Sequence, residues 1–506
     1  MAGGLLLAVG VVMVQFPCLR VGFWSWDWYW LDQDARGQTR WGGPFYDLAH
    51  HENPLPVEVA WYRLALAVLG RNPTAQHGLA LAGFLLTLTV FYAYLRLLAL
   101  PRWAAAATVT LVGVAPSCQT SWTWFAASPH MWAAMLGLAA ATTHLAWRLG
   151  GSRSRSLAFA AAALTVAAVA MKNDGVLGAL LILAWEWTAP RGQDRPPARP
   201  QITAMAALPV LAFIWWQATA VDPHRDTAQT GIGHLLTTAA GLIRFAFIAR
   251  TDAELRQEFP PGTPPPALLV WAGAAVGAAI LSLAVLAVRE RAGRILLAAG
   301  VAGLGPVAVL QPALVSRYAL PAVLTFTGAA GVGAAVLRRG HRPRHHHVLA
   351  FVGTTAAILT WGGLAHHSSG AGAVATREET ALLTGLQTAH VAPTGTPLTL
   401  RLIGSPLNPT TVGLRLLDPA LPTAWRRTPV IVTAPGQPSP PHHHEVITMT
   451  RDSTGHYTAA VPRDTTATGA SAGHQAASHL QERLCASFCG RVGGTLTEAR
   501  PLAWSL

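Results

Sequence analysis

One lysine, Lys172, stands among the 36 basic residues of this 506-residue chain; every other one is arginine. Charged residues of both signs make up 12% of the sequence. That is about half the usual share for a soluble globular protein, so a freely solvated fold is excluded for most of the length. Four cysteines are too few for a disulfide-built scaffold. No Gly-rich phosphate loop of Walker type occurs. The net charge of +13 comes without any nucleic-acid motif. The arginines cluster in short loops between apolar runs, and membrane topology accounts for them more simply than a nucleic-acid partner does. The N-terminus, MAGGLLLAVGVVMVQF, lacks a positive n-region and an A-x-A site, and so reads as a first membrane span rather than a cleaved signal peptide.

Long apolar runs are what is present, and the mean hydropathy is +0.35. They fall at 3–19, 76–95, 103–117, 131–147, 157–171, 175–188, 202–221, 267–288, 295–311, 318–337 and 348–365. Several are near or below the ~20 residues of a full span. The pattern predicts an all-α polytopic membrane protein of about eleven transmembrane helices. Alternate loops carry Arg96 and Arg102; Arg148, Arg153 and Arg155; Arg191, Arg195 and Arg199; Arg289, Arg291 and Arg294; and Arg338, Arg339, Arg342 and Arg344. The short loops at 118–130, 172–174 and 312–317 hold Lys172 and Arg317 as their basic residues. The positive-inside rule then predicts a cytoplasmic N-terminus and an extracytoplasmic C-terminus in the plasma membrane. The Arg-rich, Lys-poor usage points to a GC-rich bacterial genome.

The transmembrane domain is expected over 1–365, with long extracytoplasmic loops at 20–75 and 222–266. Within the second loop, GIGHLLTTAAGLIRFAFIAR reads either as a helix lying in the interface or as an ordinary packed helix. Residues 366–506 read as a small β-rich extracytoplasmic module, disordered in part. Its strands are predicted in TPLTLRLIG, TPVIVTA, EVITMTR and HYTAAVP, where apolar and polar residues alternate. ASHLQERLCASFCGRV near the end reads as a helix. An outside location permits a Cys485–Cys489 disulfide, although an i,i+4 pair on a regular helix has poor side-chain geometry for a bridge; free thiols are the other reading.

The first long loop concentrates the chemistry. It carries Asp27, Asp32, Asp34, Asp47, Glu52 and Glu58 among Trp24, Trp26, Trp28, Trp30, Trp41 and Trp61. Aromatic faces offer apolar area to a sugar ring, and a carboxylate can take a proton from a hydroxyl. An interfacial aromatic belt explains the tryptophans but not the acids beside them. His50, His51 and Glu52 have the donor types of a divalent-metal site with Asp27; a loop-surface cluster is the alternative. No cofactor is certain from the sequence. His345–His347 read as part of a basic loop, and His442–His444 as part of a Pro-rich one.

The order of phrases is similar to that of GT-C superfamily glycosyltransferases, the multi-span enzymes that use polyprenyl-phosphate sugars. The phrases are Phe23 to Trp28 after the first span, His50-His51-Glu52-Asn53-Pro54-Leu55, Leu69-Gly70-Arg71-Asn72-Pro73, and Tyr92 to Arg96. SWTWFAASPH at 121–130, MKNDG at 171–175 and SRYALPA at 316–322 follow. The resemblance covers about residues 1–340. It implies a lipid-linked sugar donor, an envelope glycan, lipid or protein as acceptor, and transfer with inversion. Asp27 is implied as general base, with Asp32 or Asp34 as a second carboxylate. Lys172, Arg317 and Tyr318 would hold the lipid phosphate; Trp26, Trp28, His50, His51 and Glu52 would contact substrate. The sequence departs from the family where a pair of acids is expected at 26 and 27, because position 26 is Trp. A non-catalytic protein that binds lipid-linked glycan or organises an envelope complex, and a transporter or flippase, are the competing readings. A transporter would place ionisable groups near mid-membrane.

Overall fold

A computed structural model describes residues 2–23, 31, 56–118, 125–150, 154–188, 206–212, 232–247, 265–310, 319–340, 345–389 and 398–405. Beyond these it describes 407, 412–413, 415–416, 418, 421, 430–433 and 445–460. The chain divides into two compact units, one of residues 1–22 and 40–373, the other of 23–39 and 374–506.

The first unit is helical. Its elements are α1 (Ala2–Gln15), α2 (Pro56–Leu69), α3 (Pro73–Leu97), α4 (Arg102–Gly113), α5 (Ser128–Leu149), α6 (Arg155–Met171) and α7 (Val176–Trp187). α8 (Ile232–Phe247), α9 (Ala267–Leu286), α10 (Arg291–Leu310), α11 (Leu320–Gly340) and the start of α12 (His345–Thr388) complete it. Among the described residues three helices are long and apolar enough to cross a membrane, Pro73–Leu97, Ala267–Arg289 and Leu320–Arg339. Shorter apolar helices occupy Val9–Arg20, Arg155–Met171 and Val176–Trp187. At 1.5 Å per residue these shorter helices fall below the ~30 Å hydrocarbon thickness.

Punctuation in the sequence sets the helix boundaries. Gly70 ends α2 with φ +59°, a left-handed conformation that glycine adopts without steric penalty. Asn72 caps α3 by accepting from the Ala75 amide at 3.2 Å, and Pro73 takes the first turn, where no amide hydrogen is needed. Gln76 then ties the corner by donating to the carbonyls of Ala65 and Gly70, at 3.0 and 2.9 Å.

The core of this unit is a continuous apolar cluster that includes Phe84, Phe91, Met131, Leu138, Leu177, Leu296, Val323 and Trp361. α8 joins it through Leu242, Ala246 and Phe247, all buried, with Phe247 against Phe326 and Trp361. At one end of the bundle lies a buried ion cluster. Glu186 on α7 receives Arg148 from the last turn of α5, Nε to Oε1 at 2.9 Å, and His144 Nε2 lies 2.8 Å from the same oxygen. Arg291 at the start of α10 lies 4.7 Å from the Trp185 ring centroid and donates to the Trp185 carbonyl at 3.0 Å. Two of the arginines predicted to mark the cytoplasmic loops are thus partly structural.

α12 runs without a break across residue 365, where the transmembrane domain was expected to end, and reaches Thr388. In the second unit its last turns present Leu382, Leu383 and Leu386 to a four-stranded sheet. β1 (Leu398–Ile403), β2 (Val430–Thr433), β3 (Glu445–Arg451) and β4 (Tyr457–Ala460) fall in the four segments whose alternation predicts strands. The order is β2-β1-β3-β4; β1 pairs in parallel with β2 and β3, and β3 is antiparallel to β4. Leu398, Leu400 and Leu402 point into the apolar core with Ile447 and Met449. Arg451 forks onto Glu378 at 2.7 and 2.6 Å, which holds that carboxyl below its usual range.

Candidate active site

Among the described residues, the end of the bundle opposite the Arg148 cluster gathers the buried Glu58 and Asp174. It is built on the turn between α6 and α7. Lys172 leaves α6 in an extended conformation, with φ −168° and ψ 161°, and its carbonyl accepts from the Gly175 amide at 2.9 Å. The turn is so tight that a Cβ on Gly175 would lie 2.0 Å from the Ala168 carbonyl oxygen. MKNDG therefore needs its glycine for close backbone approach. One turn further, Gly178 meets Gly137 of α5, where an added Cβ would lie 2.3 Å from the Gly137 carbonyl oxygen. That backbone contact draws the turn against the start of α5.

Two ion pairs result. Lys172 Nζ donates to Oε1 and Oε2 of Glu58, at 2.6 and 2.8 Å. Glu58 sits in the first turn of α2 and is 8% exposed. Two residues beyond Lys172, Asp174 Oδ2 lies 3.0 Å from His130 Nδ1, with the two side chains 0% and 4% exposed. His130 comes from the first turn of α5, where Ser128 Oγ donates to the Phe125 carbonyl at 2.7 Å. The other oxygen of Asp174, Oδ1, is buried without a hydrogen-bond partner. Beside these pairs stands an aromatic group. Trp61 lies 5.2 Å from Tyr62, 5.8 Å from Phe125 and 6.1 Å from Trp132, centroid to centroid. Gly83 of α3 gives Trp132 its seat, since a Cβ there would meet the indole at 2.5 Å.

A cation, three carboxyl or imidazole groups and several aromatic faces within one end of a bundle form a set able to hold an anionic group and a sugar ring. Of the residues predicted from sequence, the described structure contains Lys172 and pairs it with Glu58. Asp27, Asp32, Asp34, Trp26, Trp28, His50, His51, Glu52, Arg317 and Tyr318 lie outside the described residues, as do Cys485 and Cys489. Cys18 and Cys118 are buried. Among the described residues no group of three metal-ligating side chains comes together.

Sequence reasoning named Glu58 only among the acids of the first loop and His130 only as the end of a phrase, and gave neither a role. Glu58 is the last acid of the same aromatic stretch, and the signal was its helical spacing: Glu58, Trp61 and Tyr62 fall on one face at i, i+3 and i+4. His130 closes the phrase SWTWFAASPH, and only tertiary structure brings it to Asp174.

No family model matches the sequence, and no curated protein matches it. Among solved structures, the chain is similar to ArnT from Cupriavidus metallidurans bound to undecaprenyl phosphate, at 13% identity and a TM-score of 0.46, covering 89% of this chain and 93% of that one. It is also similar to the oligosaccharyltransferase of Archaeoglobus fulgidus in the apo form, at 13% identity and a TM-score of 0.48, over 86% of this chain and 64% of that one. AglB from Archaeoglobus fulgidus, in complex with an inhibitory peptide and a dolichol-phosphate, is matched at 13% identity and a TM-score of 0.47, over 82% and 63% of the respective chains. These neighbours are GT-C superfamily members. At this identity and TM-score the likeness is one of gross chain course alone.

Proposed function

We propose that this chain is an integral membrane glycosyltransferase. It moves a sugar from a polyprenyl-phosphate donor to an extracytoplasmic acceptor with inversion at the anomeric carbon. The observation that carries this reading is the pairing of Lys172 with Glu58 beside His130, Asp174 and the Trp61 aromatic group. The motif order Phe23–Trp28, Leu69–Pro73, 121–130 and 171–175 supports it independently. Lys172, with Arg317 and Tyr318, meets the phosphate that leaves with the lipid. A compact ammonium suits that task because the developing negative charge needs a cation already in place. Glu58 orients the ammonium until the donor phosphate takes part of its bonding. Asp27, with Asp32 or Asp34, receives the acceptor proton, and Trp26, Trp28, His50, His51 and Glu52 line the sugar.

The test is transfer from a radiolabelled polyprenyl-phosphate sugar by membranes holding wild-type chain or Asp27→Asn at equal abundance. Loss of product in the variant is expected; full activity there would remove Asp27 from the mechanism. One observation favours a second reading. Trp26 stands where the second acid is expected, as in a protein that binds lipid-linked glycan without turning it over.

A further inference from the structure

We propose that an arginine rim, at the end of the bundle that carries the Arg148 cluster, binds the headgroups of anionic phospholipids. This goes beyond the glycosyl-transfer reading and needs only that the chain spans a bilayer. Depth is the first observation. The helices long and apolar enough to cross a membrane among the described residues cover Pro73–Leu97, Ala267–Arg289 and Leu320–Arg339. Each ends on or beside an arginine: Arg96, Arg289 and Arg339. Lipid phosphates begin where an apolar span stops, so these guanidiniums stand at headgroup depth. The three helix ends also meet. Arg338 lies over the Trp103 ring, 4.8 Å from its centroid, and Trp103 opens α4 just after the end of α3. Arg339 Nη1 reaches Glu290 Oε1 at 3.0 Å, just after the end of α9. Beside Glu290, Arg291 lies on the Trp185 ring that Arg148 also faces, so the rim and the Arg148 cluster share one end. Two glycines of α11 hold this convergence. A Cβ on Gly331 would lie 2.2 Å from Thr108 Oγ1 of α4, and one on Gly333 would lie 2.0 Å from the Leu283 carbonyl oxygen of α9. Larger residues there would hold Arg338 and Arg339 away from both neighbours.

Charge is the second observation. Arg102, Arg289, Arg294, Arg338 and Arg339 are exposed. Among the described residues of these three helix ends the one acid is Glu290, and Arg339 already engages it. The excess is cationic, and a guanidinium fork matches phosphate oxygens. A zwitterionic headgroup would leave that excess uncompensated, whereas an anionic one neutralises it. The third observation is the apolar groups set between the arginines. Val285, Val288 and Leu337 are exposed, and so is the Trp103 indole. A dissolved anion gains nothing from them. A phospholipid lays its acyl chains on the aliphatic groups, and an indole suits the membrane–water boundary. The combination selects a lipid over a free phosphate.

The experiment reads lipid retention by native mass spectrometry, on full-length folded chain in mixed micelles of phosphatidylglycerol and phosphatidylcholine. It needs no glycosyl transfer, so its outcome is independent of that reading. Wild type is compared with Arg102→Gln, Arg338→Gln, the double variant, and Arg155→Gln, which changes an exposed arginine at the start of α6 outside the rim. Wild type is expected to retain phosphatidylglycerol in preference to phosphatidylcholine, and less of it as salt rises. Each rim variant is expected to weaken that retention roughly fivefold, and the double variant about 20-fold or more. Surface substitutions of this kind leave the melting temperature nearly unchanged. An equal loss in Arg155→Gln overturns the site, leaving only the general attraction of basic loops for an anionic leaflet. Equal retention of the two lipids overturns it, as does a double variant that binds phosphatidylglycerol like wild type. Displacement of the lipid by millimolar inorganic phosphate also overturns it, since that marks a site for a free anion.

Discussion

Removing either partner of the Glu58–Lys172 pair leaves a charge in a site that is nearly closed to water. The two side chains are 11% and 19% exposed, and the ammonium reaches both carboxylate oxygens at 2.6 and 2.8 Å. At 2.6 Å and an effective dielectric constant of ~20, the direct attraction is about 6 kcal/mol, an upper bound before desolvation is subtracted. Truncating one partner of a buried, hydrogen-bonded pair costs roughly 2–5 kcal/mol, mostly for the charge left behind. The residual exposure of Lys172 places this pair in the lower half of that range, about 2–3 kcal/mol for Glu58→Gln or for Lys172→Met. The double variant strands no charge, so its cost falls below the sum of the singles, with a coupling on the order of 1–3 kcal/mol. Denaturant titration of the full chain in mixed micelles, followed by tryptophan fluorescence, measures all four corners of the cycle. Additivity within about 0.5 kcal/mol would refute the pair as a structural unit. The same variants bear on donor binding. Glu58→Gln frees the ammonium, so the folded fraction is expected to bind inorganic phosphate or polyprenyl phosphate more tightly, and Lys172→Met more weakly.

Two more outcomes follow from the packing. Gly175→Ala and Gly178→Ala each drive a methyl into backbone, at 2.0 Å from the Ala168 carbonyl oxygen and 2.3 Å from the Gly137 carbonyl oxygen. Both are expected to lower the folded yield after detergent extraction, whereas Gly233→Ala, with open space around it, should not. In the second unit, burial pushes the Glu379 carboxyl up to about 8 from an ordinary 4.5, against the lowering effect of Arg415. A carboxyl raised on folding binds more protons in the native state, so its stability contribution is full below about 4.5 and is lost as pH rises toward about 8. Melting of the full chain between those limits should therefore fall with rising pH, and Glu379→Gln should flatten the slope; an unchanged slope would assign the titration to another group.

Much of the fold is legible in the sequence because its signals are local. Apolar runs long enough to span a bilayer mark α3, α9 and α11 from composition alone, since the bilayer rewards length and apolarity wherever they occur in the chain. Gly70, Asn72 and Pro73 announce the α2–α3 corner through backbone preferences that need no partner. Alternation marks all four strands for the same reason, because a pleated strand half-buried on a core must repeat every two residues. The lone lysine drew notice by composition, and the phrase around it was recognisable by order.

What the sequence by itself determined, then, was a membrane-class, mostly helical chain with a short β segment, and Lys172 as a residue of interest. Tertiary structure alone decided what Lys172 touches. Glu58 lies 114 positions away and His130 lies 44 from Asp174, and no periodic pattern encodes contacts at those separations. They depend on two helices meeting at Gly137 and Gly178, where the absence of side chains lets backbones approach. It also decided that Arg148 pairs with a buried glutamate, and that α12 continues past the last apolar run. Hydropathy registers the cost of leaving lipid, while a helix ends only where its backbone loses its hydrogen-bond partners.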